Sequence, residues 1–194
     1  MKKKTLLLLI AVVLIIGGAM GGTLAWLVTK TNPVTNTFTT SNIDITLEES
    51  TGNEYKMVPG HTIAKDPKVT VLKGSEPCYL FVKLEKSANF DDYLFYEMAA
   101  DWTRLSENSN IYYRKVLAEG MGIAYSLLNQ DEVTVKESIT KADMSALNEA
   151  GATKPILTIT AYASQLYKDN NTEFDATTAW SNISDASNSS PQTP

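Results

Sequence analysis

After residue 40, apolar and polar positions alternate along much of the chain, with the two-residue period of strands. In the threonine-rich run 36–47, Ile43, Ile45 and Leu47 fall on one face and Asp44 and Thr46 on the other, predicting a half-buried strand. Pro59-Gly60 reads as a turn. Residues 68–72 alternate again before Gly74-Ser75-Glu76-Pro77 interrupts the pattern. Residues 78–84 are apolar on both faces until Lys83, as expected of a central strand in a packed sheet. Residues 93–102 and 111–116 flank a polar run at 106–110 and predict a hairpin; the first of them also suits a short helix after Asn89.

Residues 133–139 alternate once more. Thr140 followed by Asp143 has the form of a helix N-cap, and Ala142, Ala146 and Ala150 favour a short helix that Gly151 ends. Residues 155–167 make the longest strand pattern. Leu157, Ile159, Ala161 and Ala163 form one row, and Ile156, Thr158, Thr160 and Tyr162 the other. Residues 174–183 predict a closing amphipathic helix with Phe174, Ala179, Trp180 and Ile183 turned inward. Seven to nine short strands, one or two small helices and no regular helical crossovers predict an all-β fold, an antiparallel β-sandwich or jelly roll. No internal repeat is visible.

The N-terminus follows a different rule. Lys2, Lys3 and Lys4 precede an apolar run, four glycines (Gly17, Gly18, Gly21, Gly22) loosen the helix, and Thr23-Leu24-Ala25 places small residues where a signal peptidase reads them. Residues 1–25 are therefore expected to be a secretory signal helix cleaved before Trp26, with Thr23 and Ala25 at the cut. The rival is an uncleaved anchor, since residues 5–28 carry no charge and about 20 apolar residues span a bilayer. In either case the remainder is expected outside the cytoplasm. The expected plan is a signal at 1–25, an extended segment at 26–38, a jelly-roll-like domain at 39–183 and a polar, disordered tail at 184–194.

Composition narrows the function. The chain has 17 basic and 22 acidic residues; removing three signal lysines leaves a net charge of −8, which disfavours nucleic acid and anionic lipid as partners. Membrane contact is expected only through the signal segment. One cysteine, Cys78, excludes an intrachain disulfide framework, and its apolar strand predicts a buried, inert thiol. The single histidine, His61, sits beside a turn and cannot supply the paired histidines of an HExxH zinc site or a recognisable triad. The acid pairs Glu48-Glu49, Asp91-Asp92 and Asp131-Glu132, and the loop Asp169-Asn170-Asn171, lack EF-hand spacing and read as solvated loop charge. No glycine-rich phosphate cradle follows the signal, and the C-terminal residues 187–194 hold no LPxTG-like sorting signal, so covalent wall attachment is not expected. No cofactor, metal or catalytic residue is expected; the chain does not read as an enzyme.

Several segments in order resemble a known family. They are Gly21-Gly22-Thr23-Leu24-Ala25-Trp26, then Asn36-Thr37-Phe38-Thr39, Ile43-Asp44-Ile45-Thr46-Leu47-Glu48, and Met57-Val58-Pro59-Gly60-His61-Thr62-Ile63-Ala64-Lys65-Asp66. Further along come Lys65-Asp66-Pro67-Lys68-Val69-Thr70-Val71, Cys78-Tyr79-Leu80-Phe81-Val82-Lys83, Leu157-Thr158-Ile159-Thr160-Ala161-Tyr162-Ala163 and Ala179-Trp180. Together they are similar to the TasA/camelysin family of Firmicutes, whose signals are processed by a SipW-type signal peptidase. The resemblance implies a jelly-roll subunit of a biofilm matrix or surface fibre, partnered by that peptidase and by copies of itself or related subunits. It further implies that residues 26–38 complete a neighbour's sheet, offering Trp26, Val28, Val34 and Phe38 as anchors. The family name also brings a metallopeptidase activity, which this sequence lacks the zinc motif to support. A monomeric surface adhesin is the other alternative, distinguished by the absence of concentration-dependent assembly.

Overall fold

The computed structural model describes residues 42–188 with the exception of Asn53, and gives no side-chain placement for 184–188. The expected cleavage residues Thr23, Ala25 and Trp26, the anchors Val28, Val34 and Phe38, and the tail beyond 188 lie outside the described residues.

Ten short strands and three short helices are formed by the described chain. The strands are β1 (Ile45–Glu48), β2 (Thr62–Ala64), β3 (Lys68–Val71), β4 (Cys78–Lys86), β5 (Leu94–Phe95), β6 (Thr103–Arg104), β7 (Ile111–Val116), β8 (Ala124–Ser126), β9 (Glu132–Val135) and β10 (Leu157–Gln165). The helices are α1 (Phe90–Tyr93), α2 (Lys141–Ala146) and α3 (Ala176–Asn188), one more than the sequence pattern predicts. All pairings are antiparallel, in three sheets ordered β1-β3-β8, β10-β4-β7-β6 and β2-β9-β5. The fold is mostly β.

β4 organises the core because it is apolar on both faces. Leu80, Val82 and Leu84 point to one side and join Val69 and Val71 of β3 with Val133 and Val135 of β9. The two three-stranded sheets thus share one face of the four-stranded sheet. Tyr79 and Phe81 point to the other side, where α3 lays Ala179, Trp180 and Ile183 over them. Ala179, Trp180 and Ile183 face inward as predicted, whereas Phe174 packs in the same cluster from before the helix, which starts at Ala176 and runs past Ile183.

Local chemistry sets the ends of the elements. Thr140 accepts the Asp143 amide and the Asp143 carboxylate accepts the Thr140 amide, a reciprocal cap that starts α2. At the Pro59-Gly60 turn, Gly60 has φ +75°, a left-handed conformation that a side chain would strain. One expected strand is replaced. Residues 93–102 do not run as a strand: Phe90–Tyr93 coil into α1, Leu94–Phe95 pair with β9, and the hairpin partner of β7 is Thr103–Arg104.

Candidate functional site

The longest sheet edge among the described residues is the outer edge of β10, which is largely half-buried and has β1 close beside it. Its nine residues pair with β4 from Leu157↔Lys86 to Gln165↔Cys78 without a bulge. The bonds that flank the ladder fix which backbone groups point where. Ser87 donates its amide to the Ile156 carbonyl at 2.9 Å, and Leu166 donates to the Pro77 carbonyl at 3.0 Å. Both are even-numbered β10 partners, so the hydrogen-bonded pairs fall at 158, 160, 162 and 164. Leu157, Ile159, Ala161, Ala163 and Gln165 therefore direct their amides and carbonyls away from β4. Among the described residues none of these outward groups has a hydrogen-bond partner.

Edge strands are commonly blunted by brevity, charge, proline or a bulge. The other sheet edges follow that rule, with β5 and β6 at two residues, β2 and β8 at three, and β1 at four with Glu48 at its end. β10 follows none of it: LTITAYASQ is long, uncharged, free of proline and rich in threonine and β-branched residues.

The flank of this edge is held by charge and hydrogen bonding. A gap of about 140 Å3 lies between the end of β1 and the start of β10, lined in part by Leu47, Glu49, Pro67 and Ile159. Beside it the Asp66 carboxylate accepts the Ser50 amide at 2.9 Å, the Ser50 hydroxyl at 2.7 Å and the Thr51 amide at 3.0 Å. Lys65 closes on Glu49 at 2.8 Å, and the Tyr55 hydroxyl also donates to Glu49. The Ser50 hydroxyl, and then the two amides, hold the Asp66 carboxyl well below the ordinary carboxylate range. A carboxyl depressed in the folded state stabilises it above the unfolded pKa of about 4, and that contribution is lost as the pH falls below it. Amide exchange at Ser50 and Thr51 is thus expected to accelerate relative to the chain's intrinsic rate below pH about 4. Asp66→Asn should show the faster exchange already at neutral pH, with little further change on acidification; protection that persists through this range would refute the clasp.

The residues with candidate site chemistry are dispersed. His61 is exposed after its turn. Cys78 is buried, and burial pushes its thiol up to about 11, leaving almost no thiolate at neutral pH. Asp91 pairs with Lys86, Asp131 lies 3.5 Å from Lys68, and Asp169 accepts the amides of Asn171 and Thr172. Among the described residues no group of three or more His, Cys, Asp or Glu gathers, and no helix is long and apolar enough to cross a membrane. The free edge of β10 was not singled out by sequence reasoning; the only signal for it was the length and neutrality of residues 155–167.

No protein-family profile, no characterised protein and no solved structure matches the chain.

Proposed function

We propose that this protein is a secreted, non-enzymatic structural subunit of a biofilm matrix or cell-surface fibre. In this reading a SipW-type signal peptidase removes residues 1–25, and the freed segment 26–38 adds a strand to the jelly-roll-like domain of the next subunit. The observation that carries it is the outer edge of β10, an uncharged nine-residue strand in which Leu157, Ile159, Ala161, Ala163 and Gln165 turn their amides and carbonyls away from β4 and have no hydrogen-bond partner among the described residues. Residues 26–38 suit the partner role. Trp26, Val28, Val34 and Phe38 are all even-numbered and so share one face of an extended chain, and Lys30 is the only charged side chain among them. Such a contact joins two different surfaces, head to tail, and propagates into a filament instead of closing as a dimer. Cleavage is the switch, because a tethered segment cannot leave its own membrane to reach a neighbour.

The test compares the chain beginning at Trp26 with one beginning after Phe38, by sedimentation and electron microscopy over a range of concentrations. Fibres are expected from the first and monomers from the second. Monomers from both at every concentration would defeat the proposal and favour a monomeric adhesin.

A further inference from the structure

Beside the start of β10 the surface sinks into a groove of about 930 Å3, near the upper end of the range for small-molecule sites. It is lined by Met57 and Val58, by Met144 of α2 and Leu147 just after it, and by Phe90 and Leu94. The lining is more apolar than polar, and its methionines, Met57 and Met144, let it adjust to a flexible chain. At its mouth Val58 and Ile156 are left half exposed, at 49% and 55%.

The charge at this groove runs against that of the molecule. The whole chain is −5, yet the lining carries Lys56, Lys65 and Lys154 against one acid, Glu54. Lys65 is engaged by Glu49 at 2.8 Å. Among the described residues neither Lys56 nor Lys154 is in an ion pair. A largely apolar trough lined also by Lys56, beside Met57, and by Lys154, just before β10, is complementary to an elongated apolar body with an anionic end. The chain's own termini do not match. Residues 26–38 carry Lys30 and no acid, and residues 184–194 hold no apolar side chain larger than alanine or proline.

We propose that this groove binds a free long-chain carboxylate, its acyl chain against Phe90, Leu94, Met144 and Leu147 and its head group at Lys56 and Lys154. The site is independent of the assembly reading, because it uses side chains and leaves the β10 backbone edge untouched.

Calorimetric titration of the protein as the cell processes it, without detergent, would use decanoate, dodecanoate and tetradecanoate. Saturable one-to-one binding is expected, weakening about twofold to fourfold for each methylene removed. Dodecyltrimethylammonium should bind at least tenfold more weakly than dodecanoate, and the double variant Lys56→Glu with Lys154→Glu should reverse that order. Both lysines are at the surface, so the variant should keep its fold, which circular dichroism checks. Absence of saturable binding, equal affinity for the cationic amphiphile, or an order unchanged by the double variant would each overturn the proposal. So would binding to phosphatidylglycerol vesicles without binding of free acid, or self-association through this face without ligand binding.

Discussion

Truncating Phe81 to alanine is expected to cost about 3–5 kcal/mol of folding stability, a large part of the roughly 5–15 kcal/mol that a domain of this kind has in total. Phe81 is fully buried on the face of β4 that α3 covers. Its ring lies 5.3 Å from that of Trp180, 5.9 Å from Tyr79 and 6.0 Å from Tyr113, all at tilted angles. Alanine would leave a void beneath the helix that β4, paired on both sides, cannot collapse to fill. The loss corresponds to a fall in Tm of roughly 6–20 °C for a chain of this size. Trp180 should report it by a red-shifted emission as water reaches its ring. Ile123, 49% exposed, is the comparison: its alanine variant should stay within about 0.5 kcal/mol of the parent. Equal effects at the two positions would mean that α3 does not seal the second core.

Much of this architecture was legible because particular segments satisfy one period on every residue. β4 reads as central from composition alone, since both rows of side chains are apolar and both rows find a core. The closing helix was visible because Ala179, Trp180 and Ile183 repeat at helical spacing, although it starts at Ala176, two residues after Phe174. The failures have equally local causes. Residues 93–96 are aromatic and apolar and so look like a strand, but Phe90–Tyr93 form a helical turn with Asp91 and Asp92 at its start. The true partner of β7 is Thr103–Arg104, exposed and polar. Its pairing is reinforced by the Arg104 guanidinium donating to the Tyr112 hydroxyl, which no hydrophobic period reveals. β2 and β8, three residues each, are too short to show a period.

The candidate site was hidden for a different reason. Residues 157–165 have the same neutral, β-branched pattern whether a strand lies on one side or on both, because strand order depends on partners far away in sequence. Only the register with β4 reveals which backbone groups of β10 face away from that strand. The anchors proposed for the incoming strand, Trp26, Val28, Val34 and Phe38, lie outside the described residues, so the receiving side of the contact is the one with geometry.

That geometry gives the second large effect, which separates assembly from folding by a single step along β10. Proline at position 161 is expected to abolish fibre formation and leave the subunit folded, whereas proline at 160 should damage the fold itself. The Ala161 amide points away from β4 and has no partner among the described residues, so Ala161→Pro removes a donor that an incoming strand would use and sets the ring where that strand must lie. The Thr160 amide points inward to Lys83 of β4, so Thr160→Pro breaks the ladder between the two longest strands of the sheet. A buried carbonyl left unsatisfied there costs about 1–3 kcal/mol, before any displacement of β4 is counted. Thermal unfolding and sedimentation of the two variants read the two effects separately. The expected pattern is a near-parental Tm with monomers for Ala161→Pro, and a clearly lowered Tm for Thr160→Pro. Fibres formed normally by Ala161→Pro would show that assembly, if it occurs, does not use this edge. The incoming strand would then have to be sought along the shorter and charged edge of β1, a four-residue strand that offers far less backbone to hold a filament together.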